Sequence, residues 1–175
     1  MEIKNIEKIC LENNVNLSFD MPKGYENAFG TFEPITNFLY INKNLLKNAD
    51  KYKFYFFFYH ELRHAIQYQK PNLFSKEIQE SLPYVILYNG ICYKKNDKQW
   101  LQCNIEKPEE ICTQLYLNLP YELDANKFAF EKCLLKFPKQ KDKINQLYKS
   151  TQPTTNIKKL EMNKIFKSID FLTKS

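Results

Sequence analysis

Apolar positions along the chain change their spacing several times, and each change marks an element. Ile3, Ile6, Ile9 and Cys10 recur at helical spacing over residues 2 to 13 and stop at Asn13-Asn14, which predicts a short amphipathic helix. The stretch "VNLSFDM" (15 to 21) alternates apolar with polar, as a half-buried strand does. Two more strands are expected around residues 28 to 33 and 37 to 41, joined by the turn "EPIT", so the three together predict a small, mostly antiparallel sheet.

Helical spacing returns in "KNADKYKFYFFFYHELRHAIQYQKP", where Asn48 or Asp50 can cap the start and Pro71 ends the element near Lys70. Six consecutive aromatics at residues 54 to 59 make this helix apolar nearly all round its first two turns, so other elements must enclose it. The next fifty residues carry weaker signals: a short helix within 73 to 82, a hairpin turning at Asn89-Gly90, and a helix whose first turn holds Pro108, Glu109 and Glu110. A second long helix is expected from Pro120 to the stop at Pro138, with Leu123, Phe128, Phe130, Leu134 and Leu135 as its apolar positions. Beyond 139, "KDKINQLYK" resumes a helix that breaks at Gln152-Pro153. A basic amphipathic helix follows with Ile157, Leu160, Ile165, Ile169 and Leu172 on one side. The expected class is α+β: one domain over residues 1–138, and a basic helical segment, 139–175, packed on it or appended to it.

Composition narrows the class. With 43% hydrophobic and 15% aromatic residues in 175, the chain has the material for a core and is not disordered. No stretch approaches the roughly 20 apolar residues that cross a bilayer, and the N-terminus mixes charge with apolar residues instead of separating them as a secretory signal does, so a soluble cytoplasmic protein is expected. The five cysteines, Cys10, Cys92, Cys103, Cys112 and Cys133, show no C-x-x-C spacing and read as reduced, mostly buried thiols. Net charge is +6, but residues 127 to 175 hold 12 lysines against four acids, while the rest has 14 basic against 16 acidic residues. The single arginine, Arg63, argues against base reading by bidentate guanidinium groups.

The candidate chemistry lies at the end of the aromatic run. Both histidines of the chain, His60 and His64, stand four apart with Glu61 between them. At about 100° per residue, His64 falls about 40° and Glu61 about 100° round the helix from His60. Two imidazoles one turn apart can chelate one Zn2+, with the neighbouring carboxylate placed to act on a water as general base. A catalytic zinc normally has three protein ligands, and with no third histidine the third must be a downstream acid or, less favourably, a cysteine. Glu122 is the best candidate because it opens the second long helix, with Asn126 one turn later to hydrogen-bond a ligand histidine and small Ala125 and Ala129 to permit close approach. Glu80 is the runner-up, and Asp124, about 200° round from Glu122, is expected to face solvent. Tyr121, Tyr116 and Arg63 are available as oxyanion donors, and the sequence assigns none of them.

"HELRHAIQ" followed by "YELDANKFAFEKCLL" resembles the ImmA/IrrE-type zinc metallopeptidases, in which a His-Glu-x-x-His helix is paired with a downstream Glu-x-x-Ala-Asn-x-Phe-Ala helix. The resemblance covers roughly residues 15 to 137. It implies a zincin-like fold, with a small sheet packed on the buried His-Glu-x-x-His helix. It also implies zinc ligands His60, His64 and Glu122, Glu61 as general base, and, since several such enzymes encoded by mobile elements or stress loci cleave a partner repressor, a protein substrate of that kind. The separation of 58 between His64 and Glu122 is longer than the family pattern. Two other functions fit parts of the sequence: a non-catalytic module stapled by zinc, and a binder of nucleic acid or an acidic partner through the C-terminal lysines.

Overall fold

The computed structural model describes residues 3–97 and 99–174. Helix α1 (Ile3–Glu12) turns Ile6 and Cys10 inward, and its expected first residue, Glu2, lies outside the described residues. Strands β1 (Asn16–Ser18), β2 (Gly30–Glu33) and β3 (Phe38–Ile41) form a sheet ordered β1-β3-β2. The sheet corrects one expectation, since it is mixed rather than mostly antiparallel: β2 and β3 are antiparallel, but β1 runs parallel to β3 with Asn16 opposite Phe38. A tight turn forces β2 and β3 to be antiparallel, whereas the long connection from β1 to β3, which contains β2, lets the chain re-enter in the same direction. Leu39 and Ile41 of the central strand are fully buried.

A short helix α2 (Lys43–Leu46), which the apolar pattern does not announce, starts at Asn42. The Asn42 side chain accepts from Leu45 N at 3.1 Å and donates to the Glu26 and Ala28 carbonyls. Helix α3 (Lys51–Gln69) is the aromatic helix. Asp50 stands at its N-cap position but makes no side-chain cap bond, and its carboxylate takes Lys143 at 3.1 Å. Phe54, Tyr55, Phe56, Phe58, Leu62 and Ala65 are buried against β1 and β3 residues and α1, and Phe57 stacks on Phe29 at 4.2 Å.

Two compact units divide the chain: the segment ending at Leu73 with Asp124–Ser150, and Phe74–Leu123 with the segment from Thr151. This cut differs from a division at 138/139, because helix α7 (Lys141–Ser150) belongs to the first unit, where Ile144 joins the core and Tyr148 stacks on Phe130. Helix α6 (Pro120–Lys136) contains the boundary in its first turns, and from Asp124 onward it is part of the first unit, with Ala129 and Cys133 in that core.

In the second unit, helix α4 (Lys76–Ser81) is capped by Ser75 and precedes an antiparallel meander of β4 (Tyr84–Ile86), β5 (Ile91–Asn96) and β6 (Gln99–Asn104). The expected hairpin turns at Asn89-Gly90. Gly90 has φ +83°, and a Cβ there would stand 2.7 Å from the Ile105 carbonyl, so both backbone and space require glycine. Helix α5 (Glu109–Leu117) follows, and α8 (Lys159–Leu172) ends the described chain. The inward face of α8 is Met162, Ile165, Phe166 and Ile169. Leu160 and Leu172, expected on that face, are exposed, because Phe166 stacks on Tyr84 at 4.2 Å and thereby sets the helix rotation. Among the described residues no helix is long and apolar enough to cross a membrane. All five cysteines are free thiols. The fold class is α+β, as the sequence predicts.

Candidate metal centre

Helix α3 delivers three functional groups from its core-facing arc. His60, Glu61 and His64 are buried, and the two Nε2 atoms face each other at 3.0 Å with the rings edge to face. Two nitrogens bound to one tetrahedral zinc at 2.0–2.1 Å stand about 3.3 Å apart, so the pair is close to a chelating geometry. Glu122, in the first turn of α6, is 5% exposed. One ligand atom each from His60, His64 and Glu122 lies within 4.8 Å of the others, and no other group of His, Cys, Asp or Glu among the described residues could hold a metal ion in this way. The runner-up Glu80 is instead half exposed and sits 3.7 Å from Lys76.

The protonation of His64 follows from its neighbours. Asp124 accepts from Arg63 Nε at 2.7 Å and Nη2 at 3.1 Å, and from Gln67 Nε2 at 2.8 Å. A carboxylate only accepts, so the amide nitrogen of Gln67 points at Asp124 and its carbonyl oxygen at His64 Nδ1, 2.9 Å away. Nδ1 therefore carries the proton, and Nε2 presents a lone pair toward His60 and the shared point. The donor set of two imidazole nitrogens and one carboxylate oxygen suits a borderline-soft divalent cation such as zinc.

Asp124 is thus a correction: it does not face solvent. Asp124 and Glu122 flank the fully buried Ala125 on the helical wheel, so the covered arc of α6 is wide enough to include both acids. Asn126 is buried at 4% exposure, one turn after Glu122, but the residue that holds the second nitrogen of His64 is Gln67. Sequence reasoning passed over Gln67. The available signal was a polar residue three positions after a ligand histidine on a buried helix.

Glu61 sits against the edge strand. A Cβ built on Gly30 would lie 2.9 Å from Glu61 Cγ, 3.0 Å from the Tyr40 carbonyl and 3.2 Å from Ile41 Cδ1, so the absence of a side chain on Gly30 makes room for Glu61. The expected oxyanion candidates are engaged elsewhere. The Tyr121 hydroxyl donates to the Tyr84 carbonyl at 2.9 Å, Arg63 is held by Asp124, and the Tyr116 hydroxyl donates to Glu122 Oε2 at 3.1 Å. Tyr88, which the sequence did not single out, packs edge-on against Tyr116 with centroids 4.9 Å apart. Burial, and secondly the Glu122 carboxylate, push the Tyr88 phenol above its ordinary pKa, opposed by a hydrogen bond with Tyr116.

Three buried donors with one histidine tautomer fixed can bind a metal ion and place a carboxylate beside it. Compared with models of known families, with curated proteins and with solved structures, the chain matches none.

Proposed function

We propose that this chain is a zinc-dependent metallopeptidase that hydrolyses peptide bonds of a protein substrate in the cytoplasm. The observation that carries the reading is the convergence of His60, His64 and Glu122, all buried, with the Nε2 lone pair of His64 directed by Gln67 and Asp124. A metal staple alone needs no buried carboxylate next to its first histidine, and Glu61, buried and adjacent to His60 on α3, favours catalysis over that alternative. The paired helices and their motifs, which resemble the ImmA/IrrE-type enzymes, make a partner regulator or repressor the first substrate to try.

In this mechanism the zinc ion supplies the acidification of a water and the polarisation of the scissile carbonyl. Glu61 accepts the proton of the attacking water on its carboxylate and hands it to the leaving amine. Gln67 keeps the His64 ring from rotating, and Gly30 leaves the Glu61 stem where it can swing between water and amine.

Metal content by mass spectrometry and hydrolysis of denatured casein test the reading together. The wild type and Glu61→Gln each carry one zinc per chain, and Glu61→Gln loses at least about 10²-fold in rate, the lower end of what a positioned base contributes. Glu122→Ala loses the metal. Hydrolysis by Glu61→Gln at the wild-type rate would sink the proposal.

A further inference from the structure

We infer that Cys92 and Cys103 are a modification site, a cross-strand dithiol that closes into a disulfide when a small-molecule disulfide such as oxidised glutathione reaches Cys103. The two cysteines stand directly opposite each other on the antiparallel strands β5 and β6, so their side chains leave the same face of the sheet. The backbone fixes the kind of pair they make. Leu87 N donates to the Ile91 carbonyl at 2.8 Å and Lys95 N to the Pro83 carbonyl at 2.7 Å, so odd-numbered residues of β5 bond toward β4, whereas Ile105 N donates to the Gly90 carbonyl at 3.0 Å on the β6 side. Successive residues of a strand alternate, so Cys92 turns its backbone toward β6 and exchanges hydrogen bonds with Cys103. Such a pair has its Cα atoms about 5.5 Å apart, inside the range of about 4.4–6.8 Å that a disulfide spans.

Access follows from position in the sheet. Strand β6 is an edge strand and Cys103 is half-buried, whereas Cys92, on the central strand, is fully buried. An oxidant therefore enters at Cys103. The Cys103 thiolate attacks one sulfur of oxidised glutathione, forming a mixed disulfide and releasing one glutathione thiolate, which takes up the proton that Cys103 gave up. Cys92 then loses its proton and attacks Cys103 Sγ, and the second glutathione leaves with the electron pair of the mixed disulfide and takes that proton. Two protein thiols become one disulfide, and one glutathione disulfide becomes two thiols. Burial holds both cysteines above their ordinary pKa, Cys92 at about 12, so the exchange quickens as pH rises. The third thiol of the neighbourhood is Cys112, since a Cβ on Gly90 would lie 3.6 Å from its Sγ and Cys92 Sγ donates to the Gly90 carbonyl at 3.5 Å. It is fully buried on α5 with its own Sγ donating to the Lys107 carbonyl at 3.6 Å, so it offers the oxidant no entry. Opposed Cβ atoms stand about 4.5–5.5 Å apart, with hydrogen-bonded pairs at the wide end, while a relaxed disulfide needs about 3.5–4.5 Å. Closure draws the strands together, and a disulfide strained in this way is easily reduced. The dithiol is thus open under reducing conditions and closed under oxidising ones.

Full-length native protein is incubated with oxidised glutathione at pH 8, its remaining thiols are alkylated, and it is digested after lysine and glutamate, which places residues 92, 103 and 112 on three separate peptides. Mass spectrometry without reduction reads the products. Wild type yields a peptide pair joined through Cys92 and Cys103, and excess reduced glutathione added before alkylation reopens the link. Cys92→Ala stops with glutathione on Cys103. Cys103→Ala takes up glutathione at Cys92 at least about tenfold more slowly than wild type reacts, because the exposed entry thiol is gone. Glutathione that stays on Cys103 of the wild type overturns the inference, as does a link from Cys92 to Cys112 in place of Cys103, or no reaction at all. A 92–103 link that excess reduced glutathione leaves closed also overturns it, by making the bond a structural staple. Should Cys92→Ala fail to fold, the wild-type peptide map decides alone, since it needs no substitution.

Discussion

Replacing Gln67 by Leu tests whether the Asp124–Gln67–His64 chain tunes the metal centre. Gln67 is fully buried, and the substitution keeps its approximate volume while removing the amide's bonds at 2.9 Å to His64 Nδ1 and 2.8 Å to Asp124. Asp124 retains its two bonds from Arg63, so no uncompensated charge is created. The cost is instead a buried N–H on His64 without an acceptor, about 1–3 kcal/mol in the metal-free protein. For a chain of this size that corresponds to a fall in Tm of about 2–4 °C per kcal/mol. The ring is then free to rotate and to adopt the other tautomer, and loss of such a partner typically lowers metal affinity about 10–100-fold. At free zinc about 100 times the wild-type Kd the ion adds about 2.7 kcal/mol to wild-type stability, and with tenfold weaker binding only about 1.4. Urea unfolding of metal-free and zinc-loaded protein reads both quantities, and chelator competition gives Kd directly. A Gln67→Leu protein that folds and binds zinc as tightly as wild type would refute the reasoning.

Three further outcomes are expected. Gly30→Ala places a methyl group under 3.0 Å from Glu61 Cγ and against a backbone carbonyl, so it loses about 1–3 kcal/mol in stability yet binds one zinc, and its hydrolysis of casein falls further than its unfolded fraction explains; equal losses in both would refute the positional argument. Phe56→Ala removes a fully buried ring from α3 and costs about 3–5 kcal/mol by chemical denaturation, and a cost under 1 kcal/mol would mean the helix is not enclosed. Burial pushes the thiols of Cys10, Cys92 and Cys133 up to about 12, so at pH 8 iodoacetamide modifies these three last in the native protein, after the half-buried Cys103, and all five react once unfolded; peptide mapping with early label on Cys133 would contradict this.

What could be read from the sequence was whatever a local pattern encodes. The aromatic run and Pro71 specified α3, and two histidines one turn apart on it specified a shared direction, so His60 and His64 were legible from spacing alone. Glu122 was legible because it opens a helix with small residues beside it. The parallel pairing of β1 with β3 was not, since alternation fixes which face of a strand is buried and says nothing of its neighbour's direction. Strand β6 escaped because "QWLQCN" keeps at most partial burial along its length and so lacks a clean apolar stripe. Leu160 and Leu172 were misplaced because hydrophobicity does not reveal which side of α8 the Tyr84–Phe166 stack turns inward. Asp124 and Gln67 share one cause: each is placed by a residue far away in sequence, respectively Arg63 and Asp124, and a helical wheel drawn from Glu122 does not give the width of the arc that another helix covers.

The first compact unit is assembled from two stretches of chain, and this has a consequence during synthesis. When Leu73 has emerged from the ribosome, a helix carrying six consecutive aromatics is outside, while Ala129, Cys133 and Ile144, which complete the core around it, have still to emerge. At about 5–20 residues per second the nascent chain waits roughly 4–15 s for residue 150, with its stickiest segment only partly shielded by the N-terminal helix and sheet. Yield of intact protein should therefore depend on holding chaperones and on translation speed through residues 74 to 123, more than the equilibrium stability of the finished molecule would suggest.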